Sequence, residues 1–83
     1  MTITDNTGLS GTDEATRLYL CGLKVGEEVI EVARSCMFGK RGVVYVSKDS
    51  GGLCARWDLG DGTYMGTSLT GGTRRVTDVT IGT

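Results

Sequence analysis

Six basic side chains gather in the middle and late parts of an 83-residue chain: Arg34, Lys40, Arg41, Arg56, Arg74 and Arg75. Cationic side chains beside glycine loops suit anions, because they supply charge while exposed backbone N–H groups supply directed hydrogen bonds. Gly39-Lys40-Arg41-Gly42 and Gly71-Gly72-Thr73-Arg74-Arg75 have that composition. Tyr45 and Tyr64 add flat π-faces able to stack on a base or on a protein partner. Phe38 is read as core packing. These six bases and two tyrosines form the candidate binding set, and phosphates held by them would bind in a salt-sensitive way.

Other chemistries find less support. The chain has no His, so the commonest general base, nucleophile activator and zinc ligand is missing. Cys21, Cys36 and Cys54 form no CxxC pair, and an odd count is a poor disulfide framework. They are read as free thiols of a reducing compartment, and the expected localisation is cytoplasmic. Asp58 and Asp61 lie close enough to share a cation, but Asp-Leu-Gly-Asp-Gly lacks the ligand set of a calcium loop and reads as a turn. Neither G-x-x-x-x-G-K-[ST] nor G-x-G-x-x-G occurs, so Gly51-Gly52 and Gly71-Gly72 are read as turns. No enzyme and no cofactor are expected.

Net charge is −1, yet it is unevenly spread. Residues 1–33 sum to −4, residues 34–75 to +4, and Asp78 supplies the rest. That asymmetry permits a basic patch on a near-neutral domain. No apolar run approaches the roughly 20 residues of a membrane span, and the polar start MTITDNTGLSGTDEATR does not read as a secretory signal.

The elements that must position these residues are mostly strands. Twelve Thr, eight Val and three Ile stand against three Ala, with 14 Gly and no Pro. β-Branched residues suit a pleated surface and glycine suits its turns. The alternation predicts strands over Val29–Ala33, Val43–Lys48, Leu53–Asp58, Thr63–Leu69 and Thr73–Val79, at roughly ten-residue spacing. Turns fall at Asp49–Gly52, Leu59–Gly62 and Thr70–Gly72, and a longer loop at Arg34–Lys40. Val29, with Val25 before it, is expected to face the core, as are Leu53, Ala55 and Trp57. Arg56 and Asp58 then point outward, with Cys54 on the outer face or half-buried. Residues 1–22 read as a separate polar segment: a flexible tail, a helical turn capped by Ser10 or Thr12 over Asp13–Arg17, and an ambiguous Thr16–Cys21 stopped by Gly22.

Residues 23–76 resemble the SH3-like barrels, and among them the KOW-type modules. The resemblance lies in Val25-Gly26-Glu27-Glu28-Val29, Phe38-Gly39-Lys40-Arg41-Gly42-Val43-Val44, Arg56-Trp57-Asp58-Leu59-Gly60-Asp61-Gly62 and Arg74-Arg75-Val76. It implies an all-β domain over residues 23–83, a small barrel of four or five short antiparallel strands, with a 3₁₀ turn before a short last strand. The resulting expectation is a non-catalytic binding or adaptor module. Its partner is a protein or a second copy of the chain, giving a homo-oligomer. Nucleic acid, or an anionic nucleotide-like ligand, is the alternative, and no membrane is expected.

Overall fold

The computed structural model describes residues 2–82. Its strands are β1 (Thr2–Asp5), β2 (Glu28–Glu31), β3 (Arg41–Val46), β4 (Leu53–Asp58), β5 (Tyr64–Ser68), β6 (Thr73–Arg75) and β7 (Val79–Gly82). One helix, α1 (Glu14–Cys21), precedes β2, and a 3₁₀ turn (Val76–Asp78) separates β6 from β7.

The β2–β5 run forms for the reasons its sequence suggests. Glycine turns reverse the chain, and each strand pairs antiparallel with the one before it. At Gly51, with φ +71°, the backbone turns into a region a Cβ would disfavour, and its N–H closes onto the Ser47 carbonyl at 2.8 Å. β6 then returns beside β2, giving the order β5-β4-β3-β2-β6. β1 and β7 pair separately in a two-stranded antiparallel sheet.

This is a mostly β, antiparallel fold with one short helix. The expected closed barrel is not present among the described residues: the sheet stays open, with β5 and β6 as its edges. A sheet whose last strand returns only three residues beside its first has too little pairing to meet its far edge.

The core is built mainly by strand alternation, although β2 buries Val29, Ile30 and Glu31 in succession and Cys54 of β4, expected on the outer face or half-buried, is buried as well. Val29, Val44, Ala55 and Trp57 are buried on one face of β2–β4, with Leu23 and Met37 closing over them. Leu53 packs at the margin, as do Tyr19 and Leu20 of α1. Val25 does not join them. It sits in the Lys24–Glu27 turn, where Gly26 takes φ +92° and Glu27 N–H bonds the Lys24 carbonyl at 3.0 Å, leaving Val25 in solvent. Trp57 fits because position 42 carries no side chain: a Cβ there would lie 2.9 Å from Trp57 Cε3. The indole N–H donates to the Thr67 hydroxyl at 2.7 Å, so its one polar atom is satisfied.

The first 22 residues differ from expectation in an instructive way. Residues 2–5 form a strand rather than a flexible tail. Asp13, not Ser10 or Thr12, caps the helix, accepting the Thr16 N–H at 3.0 Å and the Thr16 hydroxyl at 2.5 Å. Glycine at 22 then stops it, so the ambiguous 16–21 stretch is helix. Tyr19 ties α1 to the far end of the chain, donating to Asp78 and accepting the Arg75 N–H, both at 2.7 Å. The 3₁₀ turn follows the short strand Thr73–Arg75 instead of preceding it, because Val79–Gly82 leaves the large sheet to pair with β1.

Candidate functional site

Alternation on β3, β4 and β5 sends Val43, Tyr45, Arg56, Tyr64 and Gly66 to the face opposite Trp57. Val43 stands opposite Arg56, and Arg56 opposite Gly66, so the three strands present one continuous row. The Arg56 guanidinium lies over the Tyr64 ring, 4.5 Å from its centroid. Such a stack is worth about 0.5–1 kcal/mol at an exposed site, and it holds the guanidinium in one place. Tyr45 reaches across to β5, where its hydroxyl occupies the space a Cβ on Gly66 would need. Two adjoining hollows of 360 and 450 Å³ result, both lined by Tyr45, Arg56 and Tyr64.

The face exposes large apolar side chains between charged ones. Val43 and Tyr64 are 44% and 55% accessible. Arg41 shares the alternation of Val43 and Tyr45, and it too is exposed. Glu28, opposite Val43, and Asp58, opposite Tyr64, lie on the same side. Two bases therefore meet two acids, and this face carries little net charge.

The remaining predicted residues go elsewhere. Arg74 is buried, at 2% accessibility, and is spent on internal bonds. Its Nε donates to Asp5 at 3.0 Å and to the Thr7 hydroxyl at 3.2 Å, and its Nη1 to the Gly71 and Thr73 carbonyls at 2.7 and 2.9 Å. Arg75 donates to Glu27 at 2.7 Å and to the Gly22 carbonyl at 3.0 Å, and its guanidinium lies 5.0 Å from the Tyr19 ring centroid. Both arginines bind the N-terminal third of the chain to β6, so neither is offered to a ligand. Arg34 is exposed in the 32–40 loop beside Ser35 and Phe38, where a separate hollow opens. Phe38 is 47% accessible rather than core, because Met37 takes the inward position. Lys40 is half-buried and within electrostatic range of Asp61. Of the eight residues singled out, the fold unites Tyr45, Arg56 and Tyr64, with Arg41 along the same strand.

Sequence reasoning passed over Gly66 and Val43. An isolated glycine inside a strand was the available signal, since it marks close approach by another group. It also passed over a buried polar cluster around Glu31. That carboxylate is 1% accessible and accepts the Thr70 hydroxyl on both oxygens, at 2.9 and 2.6 Å. Burial pushes its pKa up, outweighing the Thr70 bond and the charge of Arg74. Asp5 goes the other way: burial raises it, but bonds from Thr7 and the Arg74 guanidinium hold it below the usual range.

The acidic and thiol side chains serve local structure. Asp58 accepts the Gly60 N–H at 2.8 Å and Asp61 the Thr63 N–H at 3.1 Å, so both stabilise the β4–β5 turn. No group of three or more metal-ligating side chains occurs among the described residues. Cys21 and Cys36 are exposed and Cys54 is buried, all as free thiols. No helix among the described residues is long and apolar enough to cross a membrane.

No family model, curated protein or solved structure matches the chain.

Proposed function

We propose that this domain is a non-catalytic binding module whose outer β3–β5 face docks a protein partner. One observation carries the reading: Arg56 is stacked on Tyr64 beside Tyr45, on an exposed and nearly neutral face. Tyrosine and arginine are the residue types that dominate protein interfaces, because each buries much area and still makes directed polar contacts. Arg56 is already held, so binding costs it less side-chain entropy than a free arginine. The strand order, with β6 returning beside β2, supports placing residues 23–76 with the SH3-like sheets in an opened form.

Nucleic acid is the less favoured occupant on grounds of charge. Arg74 and Arg75 are neutralised by Asp5, Glu27 and Asp78, and the acids Glu28 and Asp58 border the face itself. A phosphate backbone laid there would meet no net positive field.

The test places a photo-crosslinking side chain at position 43, beside Arg56, in the full chain. A control carries it at exposed Thr12. The expected result is a protein adduct from position 43 that survives nuclease and is lost in Arg56→Ala/Tyr64→Ala. Adducts that vanish with nuclease would transfer the face to nucleic acid. Equal capture from position 12 would remove the face from consideration.

A further inference from the structure

The two edges of the large sheet are treated differently. At β6 the outward groups are already occupied: the Arg75 N–H donates to the Tyr19 hydroxyl at 2.7 Å, and the Thr73 carbonyl accepts Arg74 Nη1 at 2.9 Å. Among the described residues β5 has β4 on one side and no strand on the other. The Leu59 N–H donates to the Thr63 carbonyl at 3.1 Å, which sets the alternation along the hairpin. Met65 and Thr67 then turn their backbone groups to β4, while Tyr64, Gly66 and Ser68 turn theirs outward. Among the described residues their N–H groups and the Tyr64 and Gly66 carbonyls have no partner, while the Ser68 carbonyl accepts the Thr67 hydroxyl at 3.1 Å and keeps a second lone pair free.

Edge strands usually carry devices against pairing: lysines, proline, an inward charge or a bulge. Tyr64-Met65-Gly66-Thr67-Ser68 carries none of them, and its register with β4 is unbroken. The segment is also self-complementary. A two-fold axis through Gly66 sets Tyr64 opposite Ser68 of a second copy and Met65 opposite its Thr67. No like charges meet, and at the two-fold axis glycine faces glycine, so no side chain from either strand crowds the centre of the pairing. All three outward residues fall at hydrogen-bonded positions, which gives about six main-chain bonds.

From this we infer that two copies of the chain join through antiparallel β5–β5 pairing centred on Gly66, making one continuous ten-stranded sheet. The inference goes beyond the face-binding reading, since it rests on backbone groups at the edge and not on Arg56 or Tyr45. The pairing sets the two Tyr45–Arg56–Tyr64 faces side by side. Five residues of edge bury far less than the roughly 1,200 Å² of a stable interface, so the association is weak and concentration-dependent.

Sedimentation equilibrium and amide exchange of the full chain test it together. Dimer is expected to accumulate toward millimolar concentration. Across the same range the Gly66 amide should gain protection about tenfold or more, while the Met65 and Thr67 amides, bonded to β4, stay protected throughout. Ser68→Pro removes an outward N–H and should leave a monomer with the wild-type Trp57 emission. If it fails to fold, Ser68→Lys puts a lysine on the edge and should do the same. A wild-type monomer at millimolar concentration overturns the inference. So does a dimer whose Gly66 amide exchanges at its dilute rate, or one that persists in a folded Ser68 variant. Crosslinking from position 43 is read separately, so loss of the dimer leaves the face-binding result standing.

Discussion

A single methyl group at position 42 should do disproportionate damage. Gly42 stands opposite Trp57 in the β3–β4 register. A Cβ there would lie 2.7 Å from the Arg56 carbonyl oxygen and 2.9 Å from Trp57 Cε3, where ordinary contact begins at 3.4 Å. One obstacle is backbone and the other a fully buried ring, so neither can swing aside as a flexible side-chain tip would. β3 and β4 must separate by several tenths of an ångström, stretching hydrogen bonds in the centre of the sheet. Overpacking of that kind costs about 1–3 kcal/mol. At roughly 0.05–0.15 kcal/mol per residue, a domain of this length has only about 4–12 kcal/mol to lose. Urea unfolding followed through Trp57, the sole tryptophan, should show the Gly42→Ala midpoint falling by about 1–2 M. Gly52→Ala is the control: its nearest neighbour is the Ser50 hydroxyl at 3.6 Å, and the change should stay within about 0.5 kcal/mol. An unchanged midpoint for Gly42→Ala would refute the account of how Trp57 is seated.

Further outcomes follow from the same contacts. Arg74→Ala strands Asp5 and frees two carbonyls; it should cost about 3 kcal/mol in urea unfolding and speed amide exchange across β1. Burial raises the Glu31 pKa above its ordinary 4.5, so the stability it contributes is full below that value and is lost as pH rises through the raised pKa. Glu31→Gln should therefore melt higher than the wild type in mildly alkaline buffer and converge with it in acid. Glu27 has the opposite sign, because the Lys24 N–H and the Arg75 guanidinium hold its pKa low; its contribution is present above 4.5 and disappears as pH falls, and melts of Glu27→Gln should lack that acid limb. Gly66→Ala displaces the Tyr45 hydroxyl, a movable tip, so thermal stability should hold while crosslinking from position 43 drops.

Much of the large sheet was legible because strand signals are local. Leu53–Asp58 alternates cleanly, and Trp57, Ala55 and Leu53 face inward as that alternation requires. Asp and Gly mark the turns on either side of it. What could not be read depends on partners distant in sequence. Thr2–Asp5 has no apolar periodicity of its own and becomes a strand only by pairing with residues 79–82. Arg74 and Arg75 looked like surface cations because Asp5, Thr7 and Glu27, which occupy them, lie some 48 to 69 residues away. The site was half visible for the same reason: Tyr45, Arg56 and Tyr64 were chosen by residue type, but only the strand register shows that they share a face. Closure into a barrel failed as an expectation because the 73–79 stretch divides its pairing between two sheets.

The β1–β7 clasp also decides how the domain responds to force. Thr2 pairs with Gly82 and Asp5 with Val79, so the outermost pair lies at the two extremities of the described chain. Tension applied there loads one rung of the ladder at a time and peels it open, instead of shearing every rung at once. Release then reaches Asp5, whose grip on Arg74 is the next fastening inward. Such a domain yields early when stretched, giving up its outer ribbon while the five-stranded sheet keeps its shape.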